Sequence, residues 1–437
     1  MKLSPKSWNS LDRNERDRIM ARSRIDIDSI IEQTRPIVDA VHQEGDAALR
    51  RFTLQFDQVD LGDRDIMVGP QEFDRAEAML DGTVRDALEY AIENVKRFHA
   101  AQVEYGMKTV EVRPGVVASE RYTPIDRVGL YVPSGRGSFP SMLYMLAVPA
   151  VLAGVPVIAV TTPPAMDGTV DPAVLYAARL CGVDQVYRAG GAQAVAALAY
   201  GTESVPAVHK IVGPGSAWVA AAKRLVSDRV DTGVPAGPSE SIVLADGAAD
   251  PWRVALDLMI EAEHGSDSAA ILVTHNEPLA TAVAQYVTEL IPEVPEPRRT
   301  FLQDVFSGYG GIILTDSEEQ SIEFVNEFGP EHLLVTCRDS RAVAASITNA
   351  SEILIGPHAA FSLANYAAGP NAVLPTGGWS RTFGPVSVHD FQRPSSVVEI
   401  TPRGYEEMRD HVIALADYEG FFTHAAALRR RGERSGE

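Results

Sequence analysis

The 437-residue sequence lacks the features that mark secreted and disulfide-rich proteins. Its two cysteines, Cys181 and Cys337, lie in apolar surroundings and offer neither a disulfide framework nor CxxC spacing, so we expect buried thiols without a catalytic role. The amino terminus, MKLSPKSWNSLDRNERDR, lacks the apolar stretch of a secretory signal. Together these absences favour a protein of the reducing cytoplasm.

Long apolar runs and excess basic charge are missing as well. No apolar run reaches the roughly 18 residues that a membrane-spanning helix requires. Lys and Arg number 39 against 59 Asp and Glu, which gives a net charge of −20. Such a charge disfavours nucleic acid and anionic membrane surfaces as partners. We therefore expect a soluble, cytoplasmic protein without either partner.

A regular pattern of strands and helices begins near residue 127. The strand segments RVGLYVPSG, PVIAVTTPP, DQVYRAGG and HKIVGPG alternate with helix-length amphipathic segments. A strand recurs about every 25 to 30 residues, which is the length of a βα unit in a parallel, doubly wound sheet. The pattern predicts an α/β fold.

The turns that leave these strands are SGRGS, TTPP, AGGAQ and GPGSA, and three of the four carry glycine. Ligands of parallel α/β sheets bind outside the carboxyl ends of the strands. Glycine there lets the backbone approach a diphosphate, and the next helix offers unpaired N–H groups. Glycine-bearing turns also occur without a nucleotide, and no GxGxxG fingerprint is present, so this region alone leaves nucleotide binding open.

A second alternation of strands and helices begins near residue 241. One of its strand segments, GPEHLLV, places Glu331 and His332 side by side where a turn enters the strand. The two side chains could form an acid/base pair or a solvated loop edge, because charged and turn residues ordinarily flank strands.

A metal site is suggested by the segment DLMIEAEHGSDS. Glu261 and His264 have an i, i+3 spacing, which places both on one helical face within reach of a divalent cation. An ordinary exposed helix end is the alternative. Asn365, Glu419 and His424 are further candidates, although the last two are about 140° apart on an ideal helix and share a site only if Gly420 breaks it.

Taken together, these segments resemble the histidinol dehydrogenase family, in order from about Ile25 to about Arg431. The matching strings are RVGLYVPSG, GGAQAVAALAYGTESVP, KIVGPGSAWVAAAKR, PAGPSE, EAEHGSDS, GPEHL, NYAAGPNAVLPT and EGFFTHAAA. The resemblance implies two Rossmann-like parallel-sheet domains with small helical terminal pieces. It divides the chain into a helical arm (1–26), a discontinuous α/β domain (27–126 with 241–380), an NAD-binding domain (127–240) and a carboxy-terminal dimerisation segment (381–437).

The reaction implied by the resemblance is the oxidation of a primary alcohol, through a bound aldehyde, to a carboxylate by two NAD molecules in turn. Glu331 and His332 match the family's acid/base pair: the imidazole would accept the alcohol proton, and the carboxylate would activate water. The family's NAD contacts fall on Tyr131, Gln193 and Ser216, where Ser216 replaces the usual asparagine.

The resemblance also implies substrate contacts at Ser239, His332 and Glu419. In the family, the carboxy-terminal segment reaches into the partner subunit, which predicts a homodimer and explains how Glu419 and His424 join a site built elsewhere. One zinc per subunit would be held by Glu261, His264, Asn365 and His424. Compared with the family pattern, amide and carboxylate have exchanged places here, so the formal charge at the metal is kept and we expect metal binding to persist.

Two departures concern the substrate. Ala372 replaces a histidine of the family's substrate pocket, and Arg136 adds a cation in the first turn, where it could pair with the NAD diphosphate, contact the substrate or be solvated. We therefore expect L-histidinol not to be the best substrate and name sulfopropanediol, which related paralogues oxidise, as one candidate. The alternatives are an authentic L-histidinol dehydrogenase, a metal-dependent hydrolase, and a silent binding protein.

Overall fold

The computed structural model describes residues 3–22, 27–104, 106–134 and 137–431. The strands, numbered in chain order, are β1 (Lys6–Ser7), β2 (Met107–Arg113), β3 (Val116–Pro124), β4 (Arg127–Tyr131), β5 (Val157–Thr162), β6 (Val186–Arg188), β7 (Lys210–Val212), β8 (Glu240–Ala245), β9 (Ala269–Thr274), β10 (Gly311–Leu314), β11 (His332–Thr336), β12 (Glu352–Ile355) and β13 (Gln392–Ile400).

The α-helices follow the same numbering. They are α1 (Arg13–Ala21), α2 (Ile27–Glu44), α3 (Asp46–Phe52), α4 (Pro70–Met79), α5 (Gly82–Ala100), α6 (Pro140–Leu152), α7 (Pro172–Cys181), α8 (Gly191–Tyr200), α9 (Ala217–Leu225), α10 (Pro251–Ile260), α11 (Glu277–Leu290), α12 (Arg298–Ser307), α13 (Glu318–Phe328), α14 (Ser340–Ala345), α15 (Phe361–Tyr366), α16 (Pro402–Tyr418) and α17 (Phe422–Arg431). None of these described helices is both long and apolar enough to cross a bilayer.

The chain forms two compact units. The first contains Met1–Val103 and Ile125–Phe391, and the second contains Glu104–Pro124 and Gln392–Glu437. The first unit holds two sheets in which every strand pair is parallel: a six-stranded sheet of order β1-β10-β9-β8-β11-β12 and a four-stranded sheet of order β6-β5-β4-β7. These sheets confirm the predicted α/β fold class.

Both sheets bury apolar side chains on both faces, as parallel sheets flanked by helices must. Along β8, Val243 packs into one core cluster, whereas Ile242 and Leu244 pack into the cluster on the opposite face. In β4, Val128 and Leu130 likewise point away from the cluster that contains Tyr131. The strict alternation fixes the register of each strand, because a slip by one residue would exchange the two faces.

Helices α2 to α5 pack around the four-stranded sheet. We predicted that residues 27–126 would join residues 241–380, but Val41 shares a cluster with Tyr131 of β4, and Phe73 and Ile92 share one with Val128. The amphipathic pattern shows that each helix buries one face, and the structure shows that these helices pack against the layer formed by α6, α7, α8 and α9. The amino-terminal arm is not wholly helical either, since β1 extends the six-stranded sheet by pairing with β10.

The second unit is built on an antiparallel sheet of order β13-β3-β2, with α16 and α17 packed against each other. Its carboxy-terminal part begins at Gln392, whereas the predicted carboxy-terminal segment began at residue 381, and the unit also includes the β2–β3 hairpin, which pairs with β13. The described part of this unit leaves large apolar side chains exposed, including Tyr418 at 91 %, Phe421 and Phe422.

Candidate active site

A cleft of about 690 Å³ lies in the first unit between its two sheets. From the six-stranded sheet it is lined by residues at the amino ends of strands, namely Ser239, Glu240, Ser268, Glu331 and His332. From the four-stranded sheet it is lined by turns at the carboxyl ends of strands, namely Pro133, Ser134, Pro214, Gly215 and Ser216. The cleft is therefore formed by opposite edges of two parallel sheets.

Glu331 and His332 lie where the chain enters β11. Helix α13 ends at Phe328, and Gly329 adopts the left-handed conformation (φ +62°) that turns the chain towards the strand. Glu331 is 7 % exposed and its Oε2 accepts a hydrogen bond of 2.9 Å from the backbone N–H of Glu240. His332 is 3 % exposed, and its Nε2 lies 3.9 Å from Glu331 Oε1. The solvated loop edge considered above is thus excluded for both side chains.

The other ring nitrogen of His332 is held by a residue that the sequence did not reveal. Nδ1 lies 2.8 Å from Oε2 of Glu352, the first residue of the neighbouring strand β12. A carboxylate accepts from a protonated Nδ1, which leaves Nε2 as the atom that exchanges protons with a substrate. Glu240, Glu331 and Glu352 each stand at the amino end of one of three adjacent strands, a pattern visible in SESIVL, PEHLLV and SEILI.

Burial and neighbouring charges shift the pKa values of both catalytic candidates, Glu331 and His332. Burial raises the pKa of Glu331 well above its usual range, and the nearby His332 offsets this rise only in part. Burial alone would lower the pKa of His332, but the carboxylates of Glu261, Glu331 and Glu352 outweigh it and raise the pKa to about 10. The two side chains thus lie next to each other in a buried pocket whose carboxylates favour the protonated imidazole.

The predicted metal ligands Glu261, His264 and Asn365 lie together. Glu261 and His264 occupy the 3₁₀ turn that follows α10, and His264 Nε2 is 3.3 Å from Glu261 Oε2. Asn365 of α15 donates a hydrogen bond of 2.7 Å from Nδ2 to Glu261 Oε1, and its buried Oδ1 has no hydrogen-bond partner among the described residues. A carboxylate, an imidazole and an orphaned amide oxygen at one place fit a divalent metal.

In the described part of the chain, no three side chains drawn from His, Cys, Asp and Glu alone are placed to hold a metal. The reason is compositional, because Asn365 supplies an amide in place of a carboxylate. Cys181 and Cys337 are poor metal ligands, because a metal binds the thiolate and burial raises the pKa of each thiol to about 12.

Two further predicted site residues belong to the second unit. Glu419 and His424 are both exposed, and Gly420 (φ +78°) separates α16 from α17 as the spacing argument required. Their place at the metal and the substrate stays a prediction.

The predicted cofactor residues surround the carboxyl edge of the four-stranded sheet. The hydroxyl of Tyr131, at the end of β4, accepts a hydrogen bond of 3.0 Å from the N–H of Gly191. Gln193 in the first turn of α8 is 1 % exposed, and its Nε2 has no hydrogen-bond partner among the described residues. Ser216 precedes α9, lines the cleft, and makes no side-chain capping hydrogen bond. Of the three, Ser216 lines the cleft, whereas Tyr131 and Gln193 are buried and are not among its lining residues, so their contact with a cofactor stays a prediction.

Three other predicted contacts have different outcomes. Ser239 lines the cleft immediately before β8, beside Glu240. Ala372 lines it as well and packs partly against the core cluster of the four-stranded sheet. Arg136 lies outside the described residues. Sequence reasoning missed Arg22 and Glu240, which both line the cleft.

Fold and site together define an α/β enzyme with a buried acid/base pair and a metal-type ligand set across a cleft from nucleotide-type turns. The family model described as histidinol dehydrogenase matches residues 20–432. A histidinol dehydrogenase homolog of Rhizobium meliloti (strain 1021) is 50 % identical over 422 residues, which cover 96 % of this chain and 92 % of the relative. A histidinol dehydrogenase of Synechocystis sp. is 47 % identical over 429 residues, 98 % of this chain and 97 % of the relative.

A solved structure agrees with these sequence relatives. The crystal structure of histidinol dehydrogenase from Elizabethkingia anophelis superimposes with a TM-score of 0.92 at 32 % identity, covering 100 % of this chain and 99 % of that one. The chain belongs to the histidinol dehydrogenase family. It is therefore an NAD-dependent oxidoreductase that acts on a CH–OH group.

Proposed function

We propose that the protein oxidises a primary alcohol, through a bound aldehyde, to a carboxylate with two NAD molecules and one zinc ion per subunit. The observation that carries this proposal is the buried Glu331–His332 pair, which lies beside Glu261, His264 and Asn365 and shares its cleft with the turn at Ser216. A primary alcohol and water yield a carboxylic acid, and each NAD receives one hydride.

In the first oxidation, His332 Nε2 accepts the alcohol proton while a hydride passes from the same carbon to the nicotinamide. Glu352 holds Nδ1 and stabilises the imidazolium that forms. In the second oxidation, Glu331 takes a proton from water as the water oxygen bonds to the aldehyde carbon, and a second hydride leaves that carbon for a second NAD. The two roles explain why the carboxylate and the imidazole are held by separate partners, Glu240 and Glu352.

Glu261, His264, Asn365 and His424 would hold the zinc, which would bind and orient the polar groups of the substrate. Ser239, His332 and Glu419 would contact the substrate, and Tyr131, Gln193 and Ser216 the cofactor. Because Glu419 and His424 belong to the second unit, we further propose that they complete the site of a partner subunit in a homodimer. The exposed Tyr418, Phe421 and Phe422 next to them support a surface that is covered by another chain.

We further propose that the preferred substrate is a small hydroxymethyl compound other than L-histidinol, such as sulfopropanediol. Support comes from Ala372, which offers a methyl group to the cleft where the family pattern has an imidazole. A site that loses a hydrogen-bonding partner discriminates against the ligand that used it. L-Histidinol itself is the second candidate, because similar relatives include both a histidinol dehydrogenase and histidinol dehydrogenase homologs.

The test is steady-state NADH formation by the purified protein with added zinc and saturating NAD, using L-histidinol, sulfopropanediol and a panel of small diols. We expect two NADH per alcohol and a higher kcat/KM for a small diol than for L-histidinol. An Ala372→His variant should regain activity with L-histidinol; the highest kcat/KM with L-histidinol and no gain in that variant would reject the substrate assignment. Hydrolysis without NADH would favour the hydrolase, and calorimetric NAD binding without turnover would favour the silent binding protein.

A further inference from the structure

The cleft contains a buried ion pair that the proposed reaction does not use. Arg22, which follows α1, places Nε 3.3 Å from Oε1 of Glu240, the first residue of β8. Both side chains line the cleft, and they are only 8 % and 4 % exposed. Glu240 Oε1 also accepts a hydrogen bond of 2.8 Å from the N–H of Gly377. Burying two charges is costly even when they are paired, so the contacts that surround this pair need an explanation.

The Arg22 guanidinium also makes contacts outside this pair. It stacks on the ring of Phe328 with its central carbon 3.8 Å from the ring centroid, and it donates hydrogen bonds to the carbonyl oxygens of Phe328 and Gly329. These are the last residue of α13 and the residue after it, and Glu331 follows two positions later. The carboxylate of Glu331 in turn accepts from the N–H of Glu240. Arg22 and Glu240 thus hold the Glu331 turn at both its ends.

The backbone of Arg22 gives an independent indication. Its φ of +59° and ψ of −155° lie in a region that is nearly restricted to glycine. A side chain with a Cβ is strained there, and such residues persist where the surrounding contacts require them. Glycine would relieve the strain but would remove the guanidinium and every contact it makes. The chain therefore retains a strained arginine at the edge of its catalytic cleft.

We propose that Arg22 and Glu240 are positioning residues that hold the Glu331 carboxylate where it activates water against the bound aldehyde. The inference rests on the proposed function of Glu331. Neither residue takes a proton or touches a reacting atom. His332 is held separately by Glu352, so the second oxidation depends on the Arg22–Glu240 pair more than the first.

An activity-independent test compares hydrogen–deuterium exchange of the full-length protein and its variants, followed by mass spectrometry of peptides covering residues 326–335. Arg22→Ala should speed exchange in this segment roughly tenfold or more, because two charge-assisted hydrogen bonds are lost. The exchange rate in Arg22→Lys should fall between those of the wild type and Arg22→Ala. An ammonium keeps the positive charge but lacks the planar, forked set of N–H donors of a guanidinium. Arg18→Ala removes an exposed arginine of α1, the helix that Arg22 follows, and should leave exchange in residues 326–335 unchanged. Unchanged exchange in Arg22→Ala overturns the proposal.

A kinetic test separates the two oxidations, using the alcohol with the highest kcat/KM in the substrate panel and its aldehyde. In Arg22→Ala, aldehyde oxidation should fall about 100-fold, the effect of a displacement near 1 Å, whereas alcohol oxidation should fall less than about tenfold and aldehyde should accumulate. The loss should not add to that of Glu331→Gln in the double variant. Equal loss in both steps overturns the proposal. If the wild-type protein oxidises no alcohol but Arg22→Ala still alters exchange in residues 326–335, the proposed function is rejected. The role of Arg22 in holding this segment is not.

Discussion

The two parallel sheets of the first unit contribute to the cleft in opposite ways. The six-stranded sheet presents the amino ends of its strands, where Glu240, Glu331 and His332 are the first residues of strands or directly precede them and are almost fully buried. The four-stranded sheet presents the carboxyl ends, where Ser134 and Ser216 lie exposed in turns. A residue at the start of a strand is held in place by the sheet, whereas a residue in a turn can change conformation more easily.

This difference matches the two demands of the proposed reaction. Proton transfer requires groups held at hydrogen-bond distance, which the strand starts supply. Two NAD molecules must bind and leave in each cycle, which turns permit more readily than strands. The comparison predicts that changes at the amino edge lower kcat, and that changes at the carboxyl edge raise the KM for NAD.

The strongest test of the amino edge is His332→Asn. We expect kcat to fall roughly 10³-fold, because the amide keeps a polar group but cannot accept the alcohol proton. The Kd of NAD, measured by calorimetry, should stay within about twofold of the wild type. His358→Asn, at an exposed histidine of the same unit, serves as the matched control. A large change in NAD affinity in His332→Asn would contradict the assignment of chemistry to the amino edge and of NAD binding to the carboxyl edge.

The second test concerns the charge of His332. In the metal-free protein its pKa of about 10 places the imidazole mainly in the protonated form at neutral pH. In the zinc-loaded enzyme, kcat/KM for the alcohol should rise with pH until the imidazole is deprotonated. Because the folded pKa exceeds the ordinary value of 6.5, this protonation stabilises the fold fully below pH 6.5, and the stabilisation is lost between pH 6.5 and 10.

Zinc should move this titration. Glu261 is among the carboxylates that raise the pKa of His332, and a cation bound at Glu261 cancels that contribution. NMR of histidine-labelled protein should show a lower pKa after zinc is added than in the metal-free protein, with His332→Asn identifying the signal. In His264→Ala, which removes a predicted ligand, added zinc should leave the titration in place; a shift of wild-type size there would contradict the assigned ligand set.

The carboxyl edge is tested by Gln193→Leu, which removes the buried amide without a large change in volume. We expect the KM for NAD to rise roughly tenfold, because one or two hydrogen bonds to the cofactor would be lost, while kcat stays nearly unchanged. The unfolding temperature should not fall, because Gln193 Nε2 has no hydrogen-bond partner among the described residues. An effect on kcat alone would assign this residue to the chemistry instead.

The smallest expected effect is that of Ser216→Asn, which restores the residue usual in the family. A longer amide offers the cofactor an additional donor, so the KM for NAD should fall about two- to fivefold. Ser134→Asn places the same amide in the neighbouring turn and should not reproduce the gain. An increased KM in Ser216→Asn would show that the hydroxyl already suits this turn better.

Glu331 and His332 could be singled out from sequence because they are adjacent in one short segment, and the family resemblance alone assigned them the role of an acid/base pair. Glu240 and Glu352 could not, although both stand at strand starts like Glu331. The strand order places β8, β11 and β12 side by side while β9 and β10 lie on the other side, and no local pattern fixes that order. Pairing between distant strands thus decides which carboxylates meet His332.

The fold class followed from periodicity, but the grouping of its parts did not. The apolar faces of α2 to α5 show that each helix is buried on one side, and any apolar layer of matching shape would satisfy them. Only the packing of Val41 and Phe73 shows that this layer belongs to the four-stranded sheet. The rule for carboxyl ends predicts a ligand at the edge of the four-stranded sheet that lines the cleft, whereas the six-stranded sheet lines the cleft with the amino ends of its strands.

The opposed edges also give the cleft an electrical polarity. In βα units the helices run against the strands, so α6 and α9 begin at the cleft, and α1, α10 and α13 end there. Helix starts carry partial positive charge and helix ends partial negative charge. In the proposed site, the diphosphate of NAD would thus be attracted to one wall, and a metal cation at Glu261 to the other, where the guanidinium of Arg22 also lies. In a chain with a net charge of −20, the helix dipoles thus favour anions at one wall, while at the opposite wall they act in the same sense as the carboxylates of Glu240, Glu261 and Glu331 and favour cations.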